Sequence, residues 1–483
     1  MINTPVVVGV GDIQQKNNFD NLDEALVLMD KVTKLAIKDS GQEDIKNYIE
    51  EVLIPKGFWK YRDPGKWIAK NNDFKEVKTS VSKIGILQQS LINSACMKIQ
   101  SGEMQACLIL GGESRYKITR ALKEKKEFTE TELVENPDYY IKANDELQTD
   151  IEKDSLGTMA VGYYSLFESA LRHKKNKGFD NHHKYLSKIY ENFSNIAVDN
   201  KDNLAAKKFS SEEILKSSNK NPQIAFPYNK HHCTSWNVNQ AAAIIICSEK
   251  LANVLNIDYE KRIYPIASSE NNHMISSILR PELSKQAGMQ IAADFIKKIC
   301  SDNKINISHF DLYSCFPVAV QMFADTLGIK DASSMTITGG MSFAGGPLNS
   351  YVLHSTVQMI KKLRKDNNAT GLVTGVSGMM TKQSYCLWSS NPIHKFIFRD
   401  VSKEASNIDI PHKISKNKNG SAKIIGYTII NDDRNIKKAV IYVEDENLER
   451  NIIQSHNTTV INSMEKEEWV GKIINFKNLQ LIS

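Results

Sequence analysis

Short runs of apolar residues near the start of the chain alternate with stretches of helical periodicity. Val6–Val10 is an unbroken apolar run, which is typical of a strand buried on both faces. Between residues 24 and 40, apolar side chains recur with the spacing of one helix face. Val52–Ile54 predicts a second strand. This alternation of strands and helices predicts an α/β fold.

One helix–strand unit occurs twice along the chain. Ser90–Ser101 predicts a helix, and Ala106–Leu110 predicts a strand that enters a double-glycine turn. Much later, Ser355–Leu363 and Gly371–Thr374 repeat this order, again with glycine after the strand. Because helices that connect neighbouring strands cross over with a fixed hand, the repeat predicts a duplicated fold with helices over central strands.

The segments between and after the repeated units have a different character. Residues 116–230 are polar and charged, with helix patterns at Met159–Arg172 and Asn181–Ala197, which predicts an inserted loop domain. After a linker at residues 389–392, Lys423–Ile430 and Ala439–Glu444 predict a hairpin, and residues 470–481 add one or two strands. We therefore expect residues 393–483 to form a separate β domain, large enough for a small β-barrel.

Composition narrows the class of protein. A chain of 483 residues with 41% hydrophobic content predicts two or three domains. The net charge is +6. The sequence has no basic stripe interleaved with aromatic residues, so it does not predict a nucleic-acid partner. No apolar run is long enough for a membrane span. Seven cysteines without a CxxC pair indicate reduced thiols, and the first strand follows the N-terminus without a signal-peptide pattern, so we expect a cytoplasmic protein.

Residues 339–348 carry the most specific motif, Gly-Gly-Met-Ser-Phe-Ala-Gly-Gly-Pro-Leu, ahead of a helix pattern. It resembles the thiolase turn Gly-Gly-x-x-x-x-Gly-His-Pro-Leu, with Gly346 at the position of the His. The stretches Thr4–Gly11, Ile99–Ser114 and Trp236–Ala243 also resemble thiolase segments, in the same order. Standard thiolases lack the tail after residue 392, and the type 1 thiolase-like group has such an additional C-terminal domain.

The resemblance implies a duplicated thiolase core layered α/β/α/β/α, with an inserted loop domain and a small C-terminal β-barrel-like domain. Residues 1–115 and 231–257 would form the N-terminal half and 116–230 the insertion. Residues 258–390 would form the C-terminal half and 393–483 the additional β domain.

The resemblance also implies that two catalytic groups are missing. The thiolase nucleophile precedes the glycine pair of the first repeat by about 25 residues, a position that falls on Ile86. An isoleucine cannot attack a thioester. The activating His is replaced by Gly346, which we expect to leave room where the imidazole would lie. We therefore expect no ordinary thiolysis.

Two candidate catalytic residues remain in Tyr313-Ser314-Cys315-Phe316, which resembles the His-Asp-Cys-Phe stretch of the sterol-carrier type of thiolase. By this resemblance, Cys315 would serve as acid and base, and the Tyr313 hydroxyl would donate to an oxyanion. The alternative is that Cys315 is a small buried packing residue.

Four residues are candidates for binding CoA, because the corresponding thiolase region faces the pantetheine arm: Gly345, Gly346, Phe316 and His232. The alternative interpretation of His232 is that it is a loop residue beneath the inserted domain, without a role in the site. We predict no metal site at His231-His232-Cys233, because adjacent side chains point apart and no second ligand pair has zinc spacing. His354 is either a packing residue or a displaced base.

Two functions stay open on these grounds. The resemblance implies an acyltransferase of the acetyl-CoA acetyltransferase kind, acting on acyl-CoA in lipid metabolism. The missing nucleophile and base favour a catalytically inactive CoA-ester-binding protein or complex subunit. No permanently bound cofactor is expected, and CoA or acyl-CoA would be the ligand. Thiolases usually dimerise, so a homodimer is implied unless the added domain covers that edge.

Overall fold

The computed structural model describes residues 3–143, 146–200, 203, 207–366, 368–392, 395–431 and 436–482. The first part alternates strands and helices, as the apolar pattern predicts: β1 (Pro5–Gln14), α1 (Ala25–Ser40), β2 (Ile49–Pro55), α2 (Pro64–Asn71), β3 (Lys78–Ser82), α3 (Gln88–Ser101) and β4 (Ala106–Ser114). Helices α1 and α3 both end at a left-handed glycine, Gly41 and Gly102, whose backbone satisfies the last carbonyls.

The segment expected to be an insertion is mainly helical. It contains α4 (Arg115–Glu124), β5 (Tyr139–Ile141), α5 (Asp150–Leu156), α6 (Ala160–Lys174), α7 (Phe179–Asp199), α8 (Ser211–Leu215), β6 (Gln223–Ala225) and β7 (Tyr228–Asn229). The predicted helices at 159–172 and 181–197 are confirmed as α6 and α7. Strand β5 pairs in parallel with β3, so part of this segment extends the first sheet.

The chain then completes the first sheet and builds a second one. The elements are β8 (Asn239–Ser248), α9 (Glu249–Val254), β9 (Tyr264–Asn271), α10 (Ala287–Asp302), β10 (His309–Asp311), α11 (Pro317–Leu327), α12 (Gly340–Phe343), α13 (Tyr351–Lys365), β11 (Thr370–Ser377), β12 (Lys382–Ser389), β13 (Ile397–Asp400) and α14 (Ser402–Ile408). The sheet orders are β1-β8-β4-β2-β3-β5 and β10-β11-β12-β9-β13.

The two sheets and their helices form five layers. Helix α1 packs on β1 and β8, and α10 packs on β9 and β12. Helices α3 and α13 contact strands of both sheets, so they lie between them. The repeated helix–strand units predicted from the sequence are α3–β4 and α13–β11. No helix in the described ranges is long and apolar enough to cross a membrane.

The tail closes into a five-stranded barrel. Its elements are β14 (Lys413–Ile414), β15 (Asn419–Asn431), β16 (Lys437–Glu444), β17 (Glu449–Ser455), α15 (Thr458–Met464), β18 (Ile473–Lys477) and β19 (Gln480–Leu481). Closure runs β15-β16-β17-β19-β18 and back to β15. The predicted hairpin is confirmed as β15–β16, although residues 432–435 of its connection lie outside the described residues.

The barrel begins later than the sequence indicates. Strand β13 pairs in parallel with β9, and α14 packs on α10. Strand β13 therefore completes the second sheet and α14 joins the helices that cover it, so the boundary expected at residue 393 is too early. Residues 393–394 themselves lie outside the described residues. A strand of four residues carries too little alternation to be recognised, and its position depends on a partner far away in sequence.

The barrel also shares its core with the rest of the molecule. Val440, Tyr442 and Ile452 belong to the same buried hydrophobic cluster as the second sheet and helix α6. Strand β15 crosses α6 closely at Gly426, where an added Cβ would lie 3.1 Å from the Leu166 carbonyl oxygen. The tail is therefore a distinct barrel, but its packing is continuous with the insertion.

Candidate functional site

The glycine turn packs against helix α7 of the insertion. Gly339, Gly340 and Gly345 have φ of +93°, +74° and +101°, which is the left-handed region that side chains other than glycine rarely adopt. A Cβ on Gly339 would overlap Ala197, and one on Gly340 would lie 2.6 Å from the Phe193 ring. Gly339 and Gly340 therefore allow the close approach of the turn and α7, whereas Gly345 lies against Gln240 of β8.

Gly346 faces a neighbour rather than open space. An added Cβ there would overlap the Thr234 Cγ2 methyl and lie 3.2 Å from Met341 Cε. The expectation that the missing imidazole leaves room at Gly346 is therefore wrong. The physical reason is long-range, because residues just before β8 return to pack on this turn.

Backbone hydrogen bonds join this turn to the segment that carries Cys315. Thr234 donates its N–H (3.2 Å) and its hydroxyl (2.8 Å) to the Cys315 carbonyl oxygen. The Met341 N–H donates to Ser314 Oγ at 3.0 Å. The sequence candidates Cys315 and Gly346 are therefore brought together, with Thr234 between them.

The Cys315 thiol is poorly suited to act as a nucleophile. Its side chain is buried, and burial raises the pKa of the thiol to about 12. The Tyr164 hydroxyl lies against it, and burial raises the pKa of Tyr164 as well. At neutral pH both groups are protonated, so roughly one Cys315 in 10⁵ is a thiolate.

Tyr313 and Phe316, on either side of Cys315, are held by aromatic packing. The Tyr313 ring meets Tyr351 edge to face, with the ring centroids 5.7 Å apart, and its N–H donates to Thr374 Oγ1 at 2.8 Å. Burial raises the pKa of Tyr313, so its hydroxyl keeps its proton. Phe316 stacks on Tyr228 with a centroid distance of 5.9 Å.

His232 is a buried, neutral imidazole. Its Nδ1 accepts the Asn229 N–H at 3.2 Å, and burial lowers the pKa of the ring to about 3. The remaining proton therefore lies on Nε2, which has no partner among the described residues. Tyr190 lies 5.5 Å away between ring centroids. His232 is thus positioned by the fold beside α7, close to the glycine turn.

The other candidates take ordinary places. Ile86 is half-buried in the loop before α3, whereas His354 is buried on α13, where burial lowers its pKa to about 3. His231 packs on the Phe209 ring, with the centroids 4.3 Å apart. Within the ranges that the structure describes, no group of three or more His, Cys, Asp and Glu side chains is arranged to hold a metal ion.

Sequence reasoning missed a buried polar network beneath this site. Glu168 on α6 contacts His182 Nε2 at 2.7 Å, and it accepts hydrogen bonds from Tyr228 (2.6 Å) and Gln321 (2.8 Å). The Tyr228 oxygen also accepts the Val318 N–H at 3.3 Å. The network joins the insertion to the first turn of α11, two residues after Phe316. The available signal was Glu168 itself, an acidic residue within a largely buried helix.

An exposed aromatic cluster lies beside the glycine turn. The Arg115 guanidinium lies over the Trp236 ring at 4.4 Å and over the Phe58 ring at 5.3 Å. Trp236 is 36% exposed and Phe58 is 45% exposed. Ser235, next to Trp236, donates to the Met341 carbonyl at 3.0 Å and accepts from Gly346 at 2.9 Å. We call Arg115, Phe58 and Trp236 the aromatic cluster.

The packing at Gly346 predicts a clear stability effect. Gly346→Val is expected to lower the free energy of unfolding by about 1–3 kcal/mol, because the new side chain overlaps the Thr234 methyl. Thr234→Ser removes that methyl and keeps the hydroxyl bond to Cys315, so it should restore much of the loss in the double variant. Urea denaturation measures both effects.

The matched control for this prediction is Gly178→Val. A Cβ at Gly178 meets no atom within 4 Å, and its φ is −61°. Because Gly178 is the N-cap residue of α7 and Val is a poor N-cap, this change should lower the urea midpoint, but by less than the overlap at Gly346 does. A Gly346→Val midpoint equal to that of the control, or a double variant no better than the single one, would contradict the steric explanation.

Comparison with known proteins agrees with this architecture. No family model and no curated protein matches the sequence. A monomeric SCP2-thiolase-like protein type 1 from Mycobacterium smegmatis has a TM-score of 0.84 at 21% identity, covering 99% of this chain and 98% of its own.

Thiolases match a smaller part of the chain. Acetyl-CoA acetyltransferase from Syntrophomonas wolfei has a TM-score of 0.59 at 14% identity, over 81% of this chain and 100% of its own. Human mitochondrial 3-ketoacyl-CoA thiolase in complex with CoA has a TM-score of 0.56 at 14% identity, over 81% and 98%. The chain therefore has the fold of the thiolases, extended by an additional C-terminal domain.

Proposed function

We propose that this protein binds CoA or an acyl-CoA thioester at the glycine turn and does not carry out ordinary thiolysis. The observation that carries the proposal is the state of the catalytic positions: Gly346 is packed against Thr234, and Cys315 is a buried, protonated thiol. A site without a nucleophile and a base can retain affinity for its ligand, because binding and catalysis use different groups.

The aromatic cluster supports CoA as the ligand. An adenine ring stacks on aromatic faces, and a guanidinium binds phosphate, so Trp236, Phe58 and Arg115 offer both contacts near the turn. The human thiolase with the same fold is a complex with CoA. In this proposal, the buried end of the ligand lies beside Gly345, Gly346, Phe316 and His232. It does not enter the place of the missing imidazole, because Thr234 packs on Gly346 there. Cys315 and Tyr313 contribute hydrogen-bonding groups rather than a nucleophile.

Calorimetry with CoA tests this proposal. The parent protein should bind CoA, and Trp236→Ala should weaken binding by about fivefold or more, because stacking on an aromatic ring contributes about 1–3 kcal/mol per base. Tyr259→Ala is the matched control, since Tyr259 is also exposed and carries a stacked arginine, Arg262, at 3.9 Å.

The control variant should bind CoA as the parent protein does. Absence of binding heat at millimolar CoA would overturn the proposal. Equal affinities of the Trp236 and Tyr259 variants would place the ligand elsewhere.

A further inference from the structure

Four arginines are almost completely buried in the described chain: Arg172, Arg262, Arg280 and Arg450. A guanidinium keeps its charge in proteins, so each must find compensation inside the molecule. Arg172 forms an ion pair with Glu468 at 3.0 Å, and Arg450 forms one with Glu444 at 2.8 Å. Two of the four are thus neutralised by a carboxylate.

Arg262 forms no ion pair with a carboxylate among the described residues, but all three of its nitrogens donate hydrogen bonds. It donates to the carbonyls of Ala252 and Ile257 and to the side-chain oxygen of Asn253. It shows that this fold can stabilise a buried guanidinium entirely with neutral oxygens.

Arg280 is compensated less completely than the other three. Its Nε donates to the Ile275 carbonyl at 3.3 Å and its Nη2 donates to the Met379 carbonyl. Its Nη1 has no partner among the residues that the structure describes. No described carboxylate forms a direct ion pair with Arg280, although Glu152 and Asp409 attract its charge from a greater distance. Burial lowers the pKa of Arg280 to about 10, which leaves it fully charged at neutral pH. A buried positive charge therefore retains an unused donor.

This donor lies beside a cavity that has room for one small group. The cavity is formed by side chains from β9, the loop before α10, the β11–β12 turn and the end of α14, and its volume for a water-sized sphere is about 10 Å³. That is close to the volume that one bound water-sized group needs. Its lining includes Arg280, Gln286, His273, Thr381 and Asp409.

A chain of amide hydrogen bonds determines which end of Gln286 faces this cavity. The Asn271 side-chain oxygen accepts the His273 N–H, so its NH₂ group donates to the Thr381 carbonyl and to the Gln383 oxygen. The Gln383 NH₂ group must then donate onward, to the Met380 carbonyl and to the Gln286 oxygen. The Gln286 NH₂ group is left as a second buried donor without a partner in the described chain.

We propose that Arg280 and Gln286 form a binding site for a carboxylate group, which would occupy the cavity between the loop before α10 and the β11–β12 turn. One carboxylate oxygen would accept from Arg280 Nη1 and from the Gln286 amide. The negative charge would compensate the buried guanidinium. The proposal does not depend on CoA binding.

The surrounding charges favour a carboxylate over other occupants. Lys285 lines the cavity from the solvent side and adds positive charge. Of the two acidic residues of the lining, Glu282 pairs with Lys174. Asp409 accepts the Ala287 N–H at 2.9 Å and also attracts Arg280 and His273. The enclosed space holds one oxygen atom. A planar carboxylate needs less room around that oxygen than a tetrahedral phosphate does.

The experiment measures the melting temperature of the full chain against rising concentrations of sodium acetate, chloride and phosphate at pH 7. Acetate should give a saturable increase, as expected for a ligand that binds the folded state. Gln286→Glu places a carboxylate inside the cavity, so this variant should melt above the parent and lose the acetate response. Gln286→Leu, which offers no charge or hydrogen bond, should melt below the parent.

Two further variants complete the design. Arg280→Met should abolish the saturable response, and Arg262→Lys is the matched control that should keep it. If Arg280→Met does not fold, the melting temperatures of Gln286→Glu and Gln286→Leu test the proposed site on their own. A parent protein without a saturable acetate response, or a Gln286→Glu variant that responds like the parent, would overturn the site. Saturation by chloride but not by acetate would overturn the assignment to a carboxylate.

Discussion

The purified protein, incubated with acetoacetyl-CoA and CoA, is expected to form acetyl-CoA at least 10⁴-fold more slowly than a typical enzyme, which turns over about 1–1000 times per second. By the resemblance to thiolases, Ile86 takes the position of the nucleophile and Gly346 that of the base, and neither residue can do that chemistry. The remaining thiol, Cys315, has its pKa raised to about 12 by burial, so almost none is a thiolate. Because nucleophile and base act as a unit, the loss of both leaves little residual rate.

Loss of the acetoacetyl-CoA enolate absorbance measures the rate, and intact-protein mass spectrometry after incubation with acetyl-CoA tests for an acyl-enzyme. The expected result is no acyl adduct. Cys315→Ala is the informative comparison. Cys247→Ala is the control, because Cys247 is also buried, in β8, and burial likewise raises the pKa of its thiol to about 12. An acyl adduct that is lost in Cys315→Ala but kept in Cys247→Ala would contradict the proposal that the protein does not carry out thiolysis.

A fragment that ends at residue 412, and so lacks the barrel, is expected to lose cooperative folding. Its deletion would expose the face of α6 that packs on β15 and would leave Arg172 without Glu468 and Tyr427. Removing one partner of a buried ion pair alone costs about 3–5 kcal/mol. Folded domains are stable by only about 5–15 kcal/mol, so the combined loss should unfold the insertion.

Circular dichroism during urea unfolding of this fragment provides the measurement. The control is the full chain with a protease site inserted at residues 389–392, which is cut after folding. The nicked protein should keep both pieces together and unfold at nearly the parent midpoint. A soluble fragment with a parent-like cooperative transition would mean that the barrel contributes little to the core.

Local elements could be predicted from the sequence because their signals are local. The apolar run Val6–Val10 lies within β1, and the hairpin of residues 423–444 is β15–β16. The order of the strands in each sheet depends on distant pairings and has no such signal. Strand β13 was missed because its four residues pair with β9, more than a hundred positions earlier. The docking of the barrel on α6 was missed for the same reason.

In the candidate site, too, the local turn could be predicted from the sequence, but the contacts between distant residues could not. The glycine turn was recognisable because its positive φ values require glycine in a fixed spacing. The packing of Thr234 on Gly346 could not be predicted, since it needs the position of a loop that lies more than a hundred residues away. Glu168 and Arg280 are single charged residues in apolar surroundings. Only the folded chain shows that Glu168 is fully partnered and that the Nη1 of Arg280 has no hydrogen-bond partner among the described residues.

The strand order of the first sheet has a consequence for synthesis of the chain. In this sheet β8 lies between β1 and β4, so the sheet neighbour of β1 is β8. Strand β8 follows β1 by more than two hundred residues in the sequence. At about 5–20 residues per second, a ribosome takes roughly 12–50 s to bridge that interval. Throughout it the apolar edge of Val6–Val10 has no sheet partner in the emerging chain, so a chaperone that shields this segment would protect the nascent protein from aggregation.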